Sequence, residues 1–151
     1  MSGITVVGDK ELNATLKELA KDIGNFSMSA LIAGGKAVEG SAKKSIQGKS
    51  SGKIVTRYRK GGESYEHVAA GPGQAPNTDR GDLVKSINTE PTKNAVFVGT
   101  SQDHGAFQEF GTKDMEPRPW LMQALELNTK LIIDLQVDAV NKSIKANQHG
   151  V

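Results

Sequence analysis

The residues that could do chemistry in this chain are few and widely spaced. Its three histidines are His67, His104 and His149, and it has no cysteine. His104 stands five residues before Glu109, which places the two side chains on different sides of a helix. A zinc site needs three or four converging ligands. The sequence therefore predicts no metal site and no cofactor.

Nucleotide binding and covalent catalysis find no better support. Gly48-Lys49-Ser50 resembles the end of a phosphate-binding loop, but that loop needs a glycine where this chain has Lys43. Without cysteine, covalent catalysis would require an activated serine, and we identify none. We therefore expect that the protein is not an enzyme.

The basic residues offer a different chemistry, because they are concentrated in one part of the chain. Residues 36–60 hold eight basic residues and one acid, a local charge of +7, whereas residues 103–138 hold seven acids and three bases, a local charge of −4. The basic stretch could follow a DNA backbone, contact an acidic protein or be a solvated surface. The candidate contact residues are Lys43, Lys44, Lys49, Lys53, Arg57, Arg59 and Lys60.

The chain as a whole has the composition of one globular domain. It has 151 residues, of which 24% are charged, and a net charge of +2, so we expect a single domain over residues 1–151. No apolar run approaches the ~18 residues that a membrane span needs, and acidic residues occur too early for a secretory signal. The sequence predicts synthesis in a reducing cytosol and no membrane partner.

Hydrophobic spacing predicts two helices in the first third of the chain. Four apolar residues at helical intervals predict a helix over residues 10–23, which Gly24 would end. A second helix would follow as far as Gln47. Gly34-Gly35 interrupts it at a cost of roughly 1 kcal/mol per glycine. Either the helix bends there or another backbone packs closely against it, and we favour close packing.

The rest of the chain alternates between strand-like runs and turns, and then becomes helical. Two runs joined by a Gly-Gly turn predict a β-hairpin. The expected elements are strands over 54–59 and 64–70, a loop over 71–81, a short turn that leads into two strands within 82–90 and 94–100, a short helix over 103–111 and a long helix over 118–146. This order indicates an α+β fold, with a small antiparallel or mixed sheet packed against N-terminal helices and a long C-terminal helix. Residues 48–80 would protrude as an extended basic hairpin and loop.

Two stretches carry more specific patterns. Residues 67–87 place a proline-rich loop and Asp-x-Gly before Leu-x-x-Ser-Ile, and residues 104–126 place an aromatic residue before Glu-Phe-Gly-Thr and then Arg-Pro-aromatic-Leu. Together they resemble the minor tail-component family of tailed bacteriophages, typified by lambdoid siphophages. Arg80 stands where threonine is common in that family, and Phe107 where tyrosine is usual. The matching positions are Pro76, Asp79, Gly81, Leu83, Ser86, Ile87, Phe107, Glu109, Phe110, Gly111, Thr112, Arg118, Pro119, Trp120 and Leu121.

The resemblance implies a structural role in the virion. Family members are neck or tail-completion proteins, so it implies a protein that joins head and tail as a ring around the DNA channel, hexameric because siphophage tails are hexameric. The implied partners are further copies of the chain, the head–tail connector or stopper, tail tube or terminator proteins, and genomic DNA. The implied location is the tail or neck of a virion assembled in the host cytoplasm. The alternatives are a tail terminator and, in a different class, a DNA-binding protein that uses residues 43–60.

Several motif residues have predicted roles that do not depend on the family. Gly81 and Gly111 are expected to allow backbone turns that a side chain would forbid. Pro119 fits the first turn of the last helix, where its missing N–H costs nothing. Trp120 is the only tryptophan in the chain and is expected in the core or in an interface.

The charged motif residues predict contacts as well. Glu109 and Arg118 could form an ion pair across the 111–117 loop or remain two solvated charges. The separated positive and negative segments could meet within one fold or in head-to-tail contacts between subunits. Residues 48–64 have few large apolar side chains, so we expect the hairpin to become ordered only in the assembled neck.

Overall fold

The computed structural model describes residues 9–48 and 50–148. Lys49 and His149 therefore lie outside the described residues. The structure combines helices with two pairs of antiparallel strands, which confirms the predicted α+β class. The elements in chain order are α1 (Asp9–Gln47), β1 (Ile54–Tyr58), β2 (Ser64–Val68), α2 (Asp82–Ser86), β3 (Ile87–Pro91), β4 (Val96–Thr100), α3 (Asp103–Phe110) and α4 (Leu121–Gln148).

Helix α1 is one continuous helix of 39 residues, so the prediction that Gly24 ends a first helix is wrong. Glycine costs only about 1 kcal/mol in a helix interior, and tertiary contacts outweigh that cost. Those contacts lie on both sides of Gly24. The Asn147 amide donates to the Asp22 carboxylate at 3.2 Å, and the Ser27 hydroxyl donates to the Gln136 side chain.

The glycine pair in α1 marks a close approach, as predicted, although side chains rather than another backbone lie nearest to it. A Cβ atom on Gly34 would lie 2.8 Å from Cγ1 of Ile132 in α4. A Cβ atom on Gly35 would lie 2.8 Å from Cγ2 of Thr89 and 2.9 Å from Cγ1 of Val96, on the two strands β3 and β4. Two adjacent glycines therefore let α1 pack against both the last helix and a sheet.

Helix α4 runs antiparallel to α1 but does not cover its whole length. Asn128 of α4 donates to Ser41 near one end of α1, at 2.8 Å, and Asn147 reaches Asp22 near the other. Residues 10–21 of α1 extend beyond this last contact. Their apolar face stays uncovered by α4, and Leu12 and Leu16 are 60% and 52% exposed.

The strands form two separate antiparallel hairpins rather than one small sheet. Strand β3 pairs with β4, from Ile87 opposite Thr100 to Pro91 opposite Val96, and this hairpin packs on α1. Strand β1 pairs with β2 between Ile54 and Val68 at one end and Tyr58 and Ser64 at the other. The β1–β2 hairpin lies away from the core, so its apolar side chains are mostly exposed.

The core lies where α1, α2 and the start of α4 meet. Trp120 and Ile87 are each 1% exposed. The predicted last helix starts three residues later than expected, at Leu121, so Pro119 lies before its first turn rather than within it. The buried core cluster comprises Val38, Ala42, Ile46, Leu83, Val84, Ile87, Trp120 and Ala124.

Candidate functional site

The most constrained part of the motif region is the junction between α3 and α4. The first N–H groups of a helix have no partner within the helix, and a side-chain oxygen or an anion usually satisfies them. Here the carboxylate of Glu109 accepts hydrogen bonds from the backbone N–H groups of Trp120 and Leu121, at 2.8 and 2.9 Å, and of Met122, at 2.9 Å. A residue of α3 thus caps α4, and its negative charge complements the helix dipole.

Trp120 stabilises the same junction by filling its apolar side. Its indole N–H donates to the carbonyl oxygen of Gly105 at 3.1 Å. A Cβ atom on Gly105 would lie 2.4 Å from Cγ2 of Thr100 and 3.1 Å from Cδ1 of Leu83, so no larger residue fits. This arrangement confirms that Trp120 is a core residue.

Gly111 ends α3 and reverses the chain toward α4. Its φ is +76°, a conformation that side chains disfavour, and a Cβ atom there would lie 2.6 Å from the carbonyl oxygen of Met115. The Thr112 N–H donates to that same carbonyl at 2.8 Å. The Arg118 N–H then donates to the Gln108 carbonyl at 2.7 Å, which closes the turn beside α3.

Neither alternative for Glu109 and Arg118 describes the structure, because the Glu109 carboxylate is buried and turned to the backbone of α4 rather than paired with Arg118 or solvated. Arg118 contacts Met115 instead, with its guanidinium nitrogen 3.8 Å from the sulfur. A buried carboxylate gains more from three N–H donors with fixed positions than from one flexible side chain.

The motif of residues 67–87 serves both the core and the loop before it. Gly81 precedes α2 with a φ of +82°, so the predicted turn is confirmed. Leu83 and Ile87 are buried in the core. The Ser86 and Thr100 hydroxyls hydrogen bond to each other, which fixes α2 beside the end of β4.

The preceding loop holds the β1–β2 hairpin through two polar side chains. The Asn77 amide donates to the carbonyl oxygens of Ser50, at 2.9 Å, and Val68, at 2.8 Å. The Asp79 carboxylate accepts hydrogen bonds from Arg57, at 2.6 Å, and from the Tyr65 hydroxyl, at 2.8 and 2.9 Å. These polar contacts position the hairpin against the loop.

The charge of Asp79 is favoured by its partners. Partial burial acts to raise the pKa of the Asp79 carboxyl group, but the hydrogen bonds from Tyr65 and Arg57 outweigh it. His67 lies on the same face of the hairpin, with Nδ1 4.0 Å from the carboxylate. The net effect holds the pKa of Asp79 below its usual value.

Two motif residues point outward. Phe107 and Phe110 are 54% and 75% exposed, whereas Glu109 between them is buried. They lie on one face of α3 together with exposed Asp103 and Ala106, because positions three and four residues apart share a helix face.

Internal contacts use part of the predicted basic surface. Arg57 is bound by Asp79, Arg59 by Glu63 at 3.1 Å, and Lys43 by Glu39 at 2.7 Å. Arg59 also lies over the Tyr65 ring, 5.4 Å from its centroid. Among the described candidate contact residues, those outside these ion pairs are Lys44, Lys53 and Lys60.

A third carboxylate, that of Glu39, connects α1 to β3. It accepts hydrogen bonds from Lys36 and Lys43, both at 2.7 Å, and from the Thr89 hydroxyl at 2.7 Å. The hydrogen bond from Lys36, followed by those from Lys43 and Thr89, lowers the pKa of Glu39 to about 2.

The chain contains a Gly-x-Ser-x-Gly pattern at residues 48–52, of the kind that carries the nucleophile in α/β-hydrolases. That motif needs a strand before the serine and a helix after it, whereas here α1 precedes and β1 follows. The Ser50 hydroxyl donates to the Ala75 carbonyl at 2.7 Å. Ser50 therefore anchors the loop.

Metal sites and membrane-spanning helices were both sought among the described residues. No group of three or more His, Asp or Glu side chains among them is arranged to hold a metal ion. Within the same described ranges, none of the helices is long and apolar enough to cross a membrane. An open cleft between hairpin and loop is lined by mixed polar residues, including Arg57, Asp79, Arg80 and His104.

Comparison with known families identifies the motif pattern. Residues 10–111 match the HK97-gp10-like family, described as "Bacteriophage HK97-gp10, putative tail-component". No curated protein and no solved structure matches the chain. The matched range covers α1 from its second residue, both hairpins and α3, including Asp79, Gly81 and Glu109, and it ends at Gly111, so the part of the second motif from Thr112 to Leu121 lies outside it. The chain therefore belongs to the HK97-gp10-like family of bacteriophage tail components.

Proposed function

We propose that this tail component is a neck or tail-completion protein that joins head and tail as a ring of identical subunits around the DNA channel. The role is structural rather than enzymatic. Its neighbours would be the connector or stopper on the head side and the tube or terminator on the tail side. Assembly would take place in the host cytoplasm, as for other parts of a virion.

The observation that carries this proposal is the division of labour within the motif of residues 104–126. Glu109 and Trp120 fix the junction internally, so the junction needs no partner to be stable. Phe107 and Phe110 instead present large aromatic side chains to solvent. Exposed aromatic residues on a rigid element are typical anchors of protein interfaces. Membership of a tail-component family supports the same interpretation.

The basic residues support a secondary contact with DNA. Lys44, Lys53 and Lys60 could contact phosphates of the genome in the channel without reading its sequence. A standalone DNA-binding protein is less favoured, because Asp79, Glu63 and Glu39 neutralise three of the candidate basic residues. Retention of the purified protein on DNA that falls steeply with salt would support that alternative.

The test is a double variant, Phe107→Ser with Phe110→Ser, in a phage that depends on this gene. We expect the variant to keep its melting temperature while unjoined heads and tails accumulate, visible by electron microscopy. Leu127→Ser is the matched control, because Leu127 is 81% exposed but lies outside the motif. Infectious particles at wild-type yield from the double variant would contradict the proposal. Native mass spectrometry of the wild-type protein tests the ring itself.

A further inference from the structure

Two apolar stripes on the surface of this protein have the same spacing. The α1 stripe consists of Leu12, Leu16, Leu19 and Ile23, and the α4 stripe of Ile133, Val137, Val140 and Ile144. Both follow intervals of four, three and four residues. That alternation is the spacing of a coiled-coil seam, in which apolar side chains on one helix fit between those of another.

Both stripes are largely exposed in the single chain, where Leu19, Ile23 and Val140 are the partly buried members. In the α1 stripe, Leu12 and Leu16 are more than half exposed; in the α4 stripe, Ile133 is 57% and Val137 53% exposed. Each stripe extends over about 16 Å of helix, at 1.5 Å per residue. Each is long enough to form three turns of helix packing, and the exposed members leave room for a further helix.

The two stripes cannot meet within one molecule. The contacts of Asp22 with Asn147 and of Ser41 with Asn128 fix α1 and α4 side by side in opposite directions. Residues 10–21 project beyond the last of these contacts, while the α4 stripe lies back along the pair. Because α1 is continuous from Asp9 to Gln47, its first turns cannot fold back onto the same α4.

We propose that the projecting α1 stripe of one copy packs on the α4 stripe of a neighbouring copy. Different surfaces of the two copies meet, so the contact is head-to-tail and generates a ring when its rotation closes. The proposal rests on the proposed ring and specifies one of its contacts. The second copy is the favoured occupant because this chain itself supplies both halves of one matched spacing.

The absence of cysteine gives a direct test by disulfide cross-linking. Leu16→Cys protein is mixed with Val137→Cys protein, which would pair if the helices run parallel, or with Val140→Cys protein, for the antiparallel case. We expect a cross-linked heterodimer after mild oxidation in one of the two mixtures. Glu18→Cys is the control, because Glu18 lies on the opposite side of α1 from the stripe.

A substitution tests the energetics of the same contact. Leu16→Glu should raise the concentration for half-maximal ring assembly at least tenfold without changing the melting temperature, since Leu16 is already half exposed. A lysine at the cross-linked α4 position should restore assembly at least in part.

The outcomes separate this contact from the ring. Rings by native mass spectrometry without a cross-link in either mixture would overturn the contact and leave the proposed ring standing. A protein that stays monomeric at all concentrations would overturn both. A double variant that cross-links within a single chain would also refute the contact between copies.

Discussion

Two carboxylates of the family motif, Glu109 and Asp79, hold two regions of the molecule in different ways. Glu109 is buried and binds backbone N–H groups at the start of α4. Asp79 lies at the surface and binds the side chains of Arg57 and Tyr65 on a peripheral hairpin. Backbone donors are fixed by the helix itself, whereas side-chain donors can exchange partners. This difference indicates that the α3–α4 junction belongs to the framework that stabilises the fold, whereas the hairpin is a peripheral element that contributes little to stability.

The largest expected effect is on the framework side. Trp120→Ala should lower the free energy of unfolding by about 3–5 kcal/mol, because it removes a fully buried indole and leaves a cavity. Chemical denaturation measures this loss. Phe110→Ala is the control within the same motif and should change stability by less than about 1 kcal/mol, since the side chain is 75% exposed. Equal effects of the two substitutions would break the distinction between inner and outer motif residues.

Removal of the cap should have the next largest effect. Glu109→Ala leaves the N–H groups of residues 120–122 without their acceptor, and we expect a loss of about 2 kcal/mol. Glu109→Gln keeps one acceptor oxygen and should cost less. If both variants have the melting temperature of the wild type, water satisfies the first N–H groups of α4 equally well, and the cap does not contribute to stability.

A third carboxylate gives a pH-dependent effect of intermediate size. The pKa of Glu39 is about 2 in the folded protein, below its ordinary value of 4.5. A lowered folded-state pKa stabilises the protein above the ordinary value, and that contribution disappears as pH falls from about 5 towards 2. We expect a loss on the order of 1 kcal/mol, because Lys36 is exposed. The melting temperature of Glu39→Gln should therefore fall less than that of the wild type between about pH 5 and pH 2. If the two pH profiles are the same, other groups cause the acid dependence.

On the hairpin side, Asp79→Ala should change little globally. The free energy of unfolding should fall by less than about 1 kcal/mol, since partly exposed polar pairs contribute little. Amide hydrogen exchange within residues 54–68 should nevertheless become faster, because the anchors of Arg57 and Tyr65 are lost. Unchanged exchange in the hairpin would show that Asn77 alone is sufficient to hold it.

Removal of the hairpin itself should also have only a small effect on stability. The Ala69 N–H donates to the Lys53 carbonyl at 2.9 Å, so a short glycine-serine linker can join these residues in place of 54–68. The melting temperature should stay within a few degrees of the wild type, while virion completion fails. An unfolded variant would place the hairpin in the framework, and infectious particles would show that its charge is dispensable.

The sequence allowed most elements to be predicted, because periodicity and turn residues are local. The short helix closed by Gly111, the β1–β2 hairpin and the close packing at Gly34-Gly35 are confirmed. The predicted break at Gly24 failed because a glycine costs little once α4 packs on both sides of it. Local pattern cannot show that packing.

The candidate site was predicted in its residues but not in its contacts. For Glu109 and Arg118 the sequence left open an ion pair or two solvated charges, and it did not predict that Glu109 caps α4. One local clue to the cap exists. The residues before α4 are Arg118, Pro119 and Trp120, and none of them is a Ser, Thr, Asp or Asn that could cap the helix. A helix start without a local cap indicates that the acceptor comes from elsewhere in the chain.

The glycine pair in α1 also has a mechanical consequence. Gly34 touches α4 through Ile132, and the next residue touches both strands of the β3–β4 hairpin through Thr89 and Val96. A shear force on the last helix therefore reaches the β3–β4 hairpin through two adjacent backbone positions of α1, and the side chains that press on them are the short, branched ones of Ile132, Thr89 and Val96. Such a joint is expected to resist sliding along α1, which suits a component of a virion tail that must keep its shape.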